Sequence, residues 1–127
     1  MTIIITGDRS IEPVQGAALT AAVLKTLAIH HPDLTVESFM TGSLETGVER
    51  AVRYLVPNVP TFKYSETDDG KTDFAGTYEL LRDVGVVDLV VVIHGDPLQS
   101  RVTKAVMKVF PADRVWLPLQ DGAKFEV

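Results

Sequence analysis

Val87-Asp88-Leu89-Val90-Val91-Val92-Ile93-His94 is the most continuous β-branched run in the chain. A strand with one face in water alternates apolar and polar residues, whereas one that stays apolar at consecutive positions is covered on both faces. This run therefore predicts an inner strand of a parallel sheet over residues 87–94, with helices above and below it. Thr2-Ile3-Ile4-Ile5-Thr6 repeats the pattern at residues 2–6. Three further strands are expected, at 35–41, at 59–64 (bracketed by Pro57 and Pro60) and at 114–119.

Helix-length amphipathic segments lie between these runs. Pro13 suits the first turn of a helix, where its missing N–H costs nothing. Leu19, Val23 and Leu27 then share a face, until His30-His31-Pro32 ends the segment. Val48, Ala51, Val52 and Leu55 form an i, i+3, i+4, i+7 stripe in a second helix over 45–55. Residues 65–73 are polar and acidic around Gly70 and read as an exposed loop. Phe74, Tyr78 and Leu81 mark a third helix ending near Gly85, and Val102, Ala105, Val106 and Val109 mark a fourth. Strands separated by helices run parallel, and right-handed crossovers put helices on both faces. The expected fold class is α/β: one doubly wound, Rossmann-like domain over residues 1–127, with a five-stranded parallel sheet and a short polar tail at 120–127.

The chain has 127 residues, enough for one core without staples, and it has no cysteine. A disulfide framework, a Cys-based zinc site and a thiol nucleophile are thereby excluded. Twelve Lys+Arg stand against 17 Asp+Glu, a net charge of -5. That balance disfavours general binding to nucleic acid, which needs a basic surface to displace counterions. The N-terminal apolar run is too short for a signal peptide or a spanning helix and has no basic flank. No membrane association is expected, and the cytoplasm is the expected compartment. His30, His31 and His94 lack metal-ligand spacing. Asp68, Asp69 and Asp73 lack the alternate spacing and closing Glu of a calcium loop. Neither a metal nor a cofactor is expected.

Open parallel sheets bind ligands beyond the carboxyl ends of their strands, where the strand order reverses. The first strand ends in Gly7-Asp8-Arg9-Ser10, either a tight turn with solvated charges or a ligand loop in which Arg9 reaches a phosphate. After the second strand comes Gly42-Ser43-Leu44-Glu45-Thr46-Gly47-Val48-Glu49, glycines and hydroxyls just before a helix. Backbone N–H groups there suit an anion, although glycines before helices are also common punctuation. No dinucleotide fingerprint or phosphate-binding loop is present. Glu49 either faces a sugar in the crevice or pairs with Arg53 at i+4 on the solvated face; spacing favours the surface pair. After the fourth strand stands His94-Gly95-Asp96-Pro97, then Ser100; His94 sits at the mouth of the crevice or against its wall. The chemistry of a phospho-receiver domain, of similar length and element order, is missing. The first strand ends in a lone Asp8, the third runs into Lys63-Tyr64, and the fifth into Pro118-Leu119.

Taken in order, these strand ends resemble the SLOG superfamily, the Rossmann-like nucleotide-binding group that includes the lonely-guy phosphoribohydrolases and the Smf/DprA proteins. The chain looks most like the small stand-alone SLOG proteins of bacteria and phages. Gly7-Asp8-Arg9 stands at the family's Gly-Ser-Arg-type turn. Gly42-Ser43, Gly47-Val48-Glu49 and Ala51 match its Gly-Gly-Ala-x-Gly-Ala/Val-Asp/Glu motif with one extra residue between the glycines. Ala75-Gly76-Thr77 echoes its Ala-Gly-Pro segment, and Val87-Asp88-Leu89-Val90 its Pro-Asp-Leu-Val strand.

The resemblance implies a nucleotide or nucleotide-derived ligand across the ends of strands 1, 2 and 4. Gly7 and Arg9, with Asp8 beside them, would line the floor. Gly42, Ser43 and Gly47 would cradle a phosphate or sugar, Glu49 would face the ribose, and Gly95 and Ser100 would close the far side; His94 joins the candidate ligand-binding set from its place at the end of the fourth strand. The phosphoribohydrolases also use an Arg in the third-helix motif, where Glu79 falls here, and a Pro-Gly-Gly-x-Gly-Thr-x-x-Glu turn that residues 94–100 lack. Cleaving an N-glycosidic bond needs one group for the oxocarbenium-like charge and another for the leaving base. Only Glu49 is placed for the first. The expected function is therefore ligand binding by a sensor or accessory protein. The alternatives are a nucleotide N-glycosidase with Glu49 as its catalytic carboxylate, and a Smf/DprA-like binder of single-stranded nucleic acid, which the acidic balance disfavours. Flat apolar helix faces and the resemblance both point to a homodimer.

Overall fold

A computed structural model describes residues 2–7, 11–33, 35–40, 47–56, 59, 61–85, 87–94 and 100–121. Strands β1 (Thr2–Gly7), β2 (Thr35–Met40), β3 (Thr61–Lys63), β4 (Leu89–Ile93) and β5 (Val115–Trp116) alternate with helices α1 (Pro13–His30), α2 (Gly47–Leu55), α3 (Phe74–Val84) and α4 (Arg101–Val109). A short helix α5 (Pro118–Asp121) follows. All four strand pairings are parallel, and the sheet order is β3-β2-β1-β4-β5. The body of the sheet is β2-β1-β4. Three-residue β3 and two-residue β5 extend it at either edge. The fold is α/β with a parallel sheet, Rossmann-like in kind.

The sheet separates two cores, as the alternation of strand residues requires. Ile3, Ile5, Leu89, Val91 and Ile93 point to one side, where α1 brings Val23 and Leu27 and α2 brings Val48 and Val52. Ile4, Val90 and Val92 point to the other, onto Tyr78 of α3 and Val102, Val106 and Val109 of α4. Asp88, the polar residue in the central apolar run, does structural work. Its carboxylate accepts from the Thr2 N–H at 2.7 Å, and its own N–H donates to the Thr2 carbonyl at 2.9 Å. That double link sets the register of β4 on β1.

Several boundaries follow from local chemistry. Pro13 is the first residue of α1, and Glu12 caps it by accepting from the N–H groups of Val14 and Gln15. Asp73 caps α3 through Gly76 N–H at 3.0 Å, and Gly85 ends that helix with a left-handed φ of 75°. The expected loop at 65–73 holds a small antiparallel bridge, Glu66 with Thr72. Its turn is tied by Asp69, which accepts from the hydroxyl of Thr67 and from the N–H of Lys71. The Thr67 bond foremost holds the Asp69 carboxyl below its usual range.

Two expectations are corrected. The fifth strand stops at Trp116 rather than 119, because Pro118 opens α5 and cannot donate to a ladder. Leu55, assigned to the buried stripe of α2, is exposed, since the helix has run past the core by its last residue. Among the described residues, no helix is long and apolar enough to cross a membrane.

Candidate functional site

Parallel strands followed by crossover helices bring every strand's carboxyl end and the start of each of helices α1–α4 to one edge of the molecule. The order β3-β2-β1-β4-β5 reverses between β1 and β4, so a crevice is expected where Gly7 pairs with Ile93. The buried polar groups collect at this edge: Thr6, Glu49, Thr77, His94, Ser100 and Thr103. Among the described residues, Thr20, inside α1, is the buried polar residue that stands apart, and its hydroxyl donates to the Gly16 carbonyl at 2.7 Å.

A chain of hydroxyls runs through the set. Thr6 Oγ1 lies 3.3 Å from the Tyr64 hydroxyl, which lies 2.5 Å from the Tyr78 hydroxyl. Tyr64 comes just after β3 and Tyr78 from α3, and edge-to-face packing with Phe74 and Phe110 fixes both rings. Burial pushes the Tyr78 phenol well above its usual 10.0, and neighbouring Tyr64 adds to the rise. The Thr6 hydroxyl pulls the other way, while the Glu49 charge raises it further. Tyr78 is therefore held as a neutral phenol.

Glu49 is fully buried. The solvated placement that spacing favours for Glu49 does not hold, because Glu49 is buried while Arg53 is exposed. Val48 and Val52 centre the inward face of α2, and Glu49 sits on the flank of that face while Arg53, a turn later, leaves it. Glu49 is the third helical residue, and Thr46-Gly47-Val48-Glu49 has the composition of a capping box, with Thr46 outside the described residues.

Gly47 has a packing task. A Cβ there would meet the Pro13 carbonyl oxygen at 2.1 Å, so α1 and α2 touch at their first turns only because this side chain is missing. His94 is 2% exposed, which places it against the wall rather than at an open mouth. By the alternation of β4 it lies on the same side of the sheet as Thr6. Ser100 is the N-cap of α4 and accepts from the Thr103 N–H at 3.0 Å. Thr103 is 1% exposed, and its hydroxyl has no hydrogen-bond partner among the described residues.

Of the expected site residues, Gly7, Gly47, Glu49, His94 and Ser100 thus come to one edge. Asp8, Arg9, Gly42, Ser43 and Gly95 lie outside the described residues. Tyr64, Tyr78 and Thr103 were missed by sequence reasoning. The available signal was a tyrosine at an inward position of a helix stripe, since a buried phenol needs a polar partner. Among the described residues, no group of three or more His, Asp or Glu is arranged to hold a metal ion. Compared with known protein families, with curated proteins and with solved structures, the chain gives no match, so the SLOG likeness rests on the order of its motifs alone.

Proposed function

We propose that the chain binds a nucleotide or nucleotide-derived ligand at the carboxyl ends of β1, β2 and β4, as a sensor or accessory protein. The observation that supports this is the gathering of Thr6, Glu49, Tyr64, Tyr78, His94, Ser100 and Thr103 at the reversal point of a parallel sheet. A stability-driven core has little use for so many polar groups in one place, whereas a polar ligand needs a few convergent donors and acceptors in an apolar wall. The starts of α2 and α4 add N–H groups suited to a phosphate.

The test is thermal unfolding of the wild type, Glu49→Gln and Arg9→Ala with AMP, ADP-ribose, NAD, cyclic nucleotides and free nucleobases. A ligand at a hundred times its dissociation constant adds about 2.7 kcal/mol to stability, a shift of several degrees. The expected result is stabilisation of the wild type by at least one nucleotide, reduced in both variants. Absence of a shift with every compound overturns the reading. Release of free base from the stabilising ligand would move the assignment to the N-glycosidase.

A further inference from the structure

Asp69-Gly70 lies at the tip of the hairpin between β3 and α3, whose arms meet at the Glu66–Thr72 bridge. In an Asp-Gly pair the glycine nitrogen can attack the aspartyl side chain, because no Cβ obstructs its approach. The product is a cyclic succinimide, which water opens to isoaspartate or back to aspartate. Reaction needs a free glycine N–H, a protonated carboxyl that can leave as water, and a side chain able to turn back on the main chain. The hairpin opposes all three. Gly70 N–H donates to the Thr67 carbonyl at 2.9 Å, and Gly70 is held at a left-handed φ of 80°. Asp69 Oδ1 accepts from the Thr67 hydroxyl and, at 3.3 Å, from Lys71 N–H, while Oδ2 lies 3.9 Å from Lys71 Nζ. Bonds of this kind favour the ionised carboxylate, and the Thr67 bond foremost holds it below its usual range. Thr67 N–H in turn donates to the Lys71 carbonyl at 2.8 Å. Packing adds little to this restraint, since the Asp69 side chain is 61% exposed and a Cβ on Gly70 would meet nothing within 4 Å among the described residues.

We infer that Asp69-Gly70 is a latent isoaspartate site, closed by the hydrogen bonds of the Thr67–Lys71 turn and reactive once that turn opens. The Gly70 nitrogen bonds to Asp69 Cγ and the Cγ–OH bond breaks, so the hydroxyl and the amide proton depart together as water. One water then returns. Cleavage of the bond from the Gly70 nitrogen to the Asp69 backbone carbonyl carbon gives isoaspartate, and cleavage at Cγ restores aspartate. Water is the co-reactant that completes the balance. The isoaspartyl main chain is one methylene longer, and its carboxylate is displaced from Thr67 and Lys71. The effect reaches beyond the loop, because Asp73 N–H donates to the Ser65 carbonyl at 2.8 Å and Ser65 N–H donates to Thr77 Oγ1 at 3.0 Å. The hairpin therefore ties the end of β3, next to Tyr64, to the first turn of α3, next to Tyr78, and isoaspartate at position 69 loosens that joint.

This inference is independent of the ligand reading, and peptide mapping of the aged full chain tests it. The chain is held near neutral pH in water enriched in heavy oxygen, either native or unfolded in urea. The label marks each opened succinimide, and chromatography separates isoaspartyl from aspartyl peptides. A second Asp-Gly pair, Asp121-Gly122, serves as the internal standard in urea. The native wild type is expected to convert Asp69 at least about tenfold more slowly than the same chain in urea, where both pairs react freely. Thr67→Val keeps the branched shape and removes the hydroxyl. It is expected to convert at least about threefold faster than the wild type when native, and at the same rate in urea. Purified isoaspartyl protein is expected to unfold at a lower urea concentration than the starting chain. Equal rates at Asp69 in the native and unfolded wild type overturn the inference, whatever the variant does. A native Thr67→Val chain as slow as the wild type overturns the assignment to these hydrogen bonds, and an unchanged urea midpoint overturns the loosened joint.

Discussion

The side chain of Thr103 makes the choice between stability and function at a single position. Its N–H is used, donating to the Ser100 cap at 3.0 Å, but its hydroxyl has no partner among the described residues at 1% exposure. Burying a hydroxyl without a hydrogen bond costs about 1–3 kcal/mol. Val has nearly the shape of Thr and lacks that group, so Thr103→Val is expected to raise unfolding free energy by about 1 kcal/mol in urea titrations. If the hydroxyl is kept for a ligand at the start of α4, the same variant binds the stabilising nucleotide more weakly, by roughly fivefold to tenfold. Lower stability in Thr103→Val would give the hydroxyl a purely structural task. Glu49 is likewise fully buried, although a carboxylate on the flank of a helix is readily placed in water.

At the scale of elements, the joint between α1 and α2 carries the most constraint. Pro13 opens one helix and Gly47 the other, and the missing Cβ of Gly47 lets their first turns meet. Gly47→Ala drives a methyl to 2.1 Å from a backbone carbonyl, which no rotamer change relieves. Separating the helices is expected to cost at least about 2 kcal/mol, read as a lower urea midpoint with an unchanged slope. Loss of less than about 0.5 kcal/mol would mean that the contact is loose. Helix starts of this kind are written locally, and residues 13 and 47 both announce them. The inner strands are equally legible, because Ile3-Ile4-Ile5 and Val90-Val91-Val92 have one physical use, burial on both faces. What periodicity could not supply is tertiary. Val115-Trp116-Leu117 continues as an apolar run into Pro118-Leu119, and only the missing donor of Pro118 tells strand from helix. The Tyr64–Tyr78 pair spans 14 residues and two elements, so its 2.5 Å contact has no trace in either segment alone. The sequence places the candidate residues at strand ends but carries no sign of a buried hydroxyl chain, since burial of that chain depends on how α3 and β3 meet.

For the molecule as a whole, the buried phenol couples the site to global stability through pH. Tyr78 has its proton held in the folded state well above the usual 10.0, chiefly by burial and by Tyr64. The unfolded chain releases that proton near its ordinary value. The native state therefore binds more protons than the unfolded one once pH exceeds about 10, and stability falls as pH rises. The contribution is fully present below the unfolded value and is lost progressively toward the folded one, at up to about 1.4 kcal/mol per pH unit from this residue. Tyr78→Phe cannot ionise, so its urea unfolding free energy should decline less steeply between about pH 10 and pH 11 than that of the wild type. The same variant should be about 1 kcal/mol less stable near neutrality, because the Tyr64 hydroxyl keeps Thr6 but loses Tyr78. The two curves consequently converge as pH rises. Parallel curves would mean that the native state releases the Tyr78 proton as readily as the unfolded chain does, and that the phenol is reached by water. That outcome would also alter the site, because a phenol wet enough to ionise normally would be a wall of an open crevice and not the sealed floor beneath it.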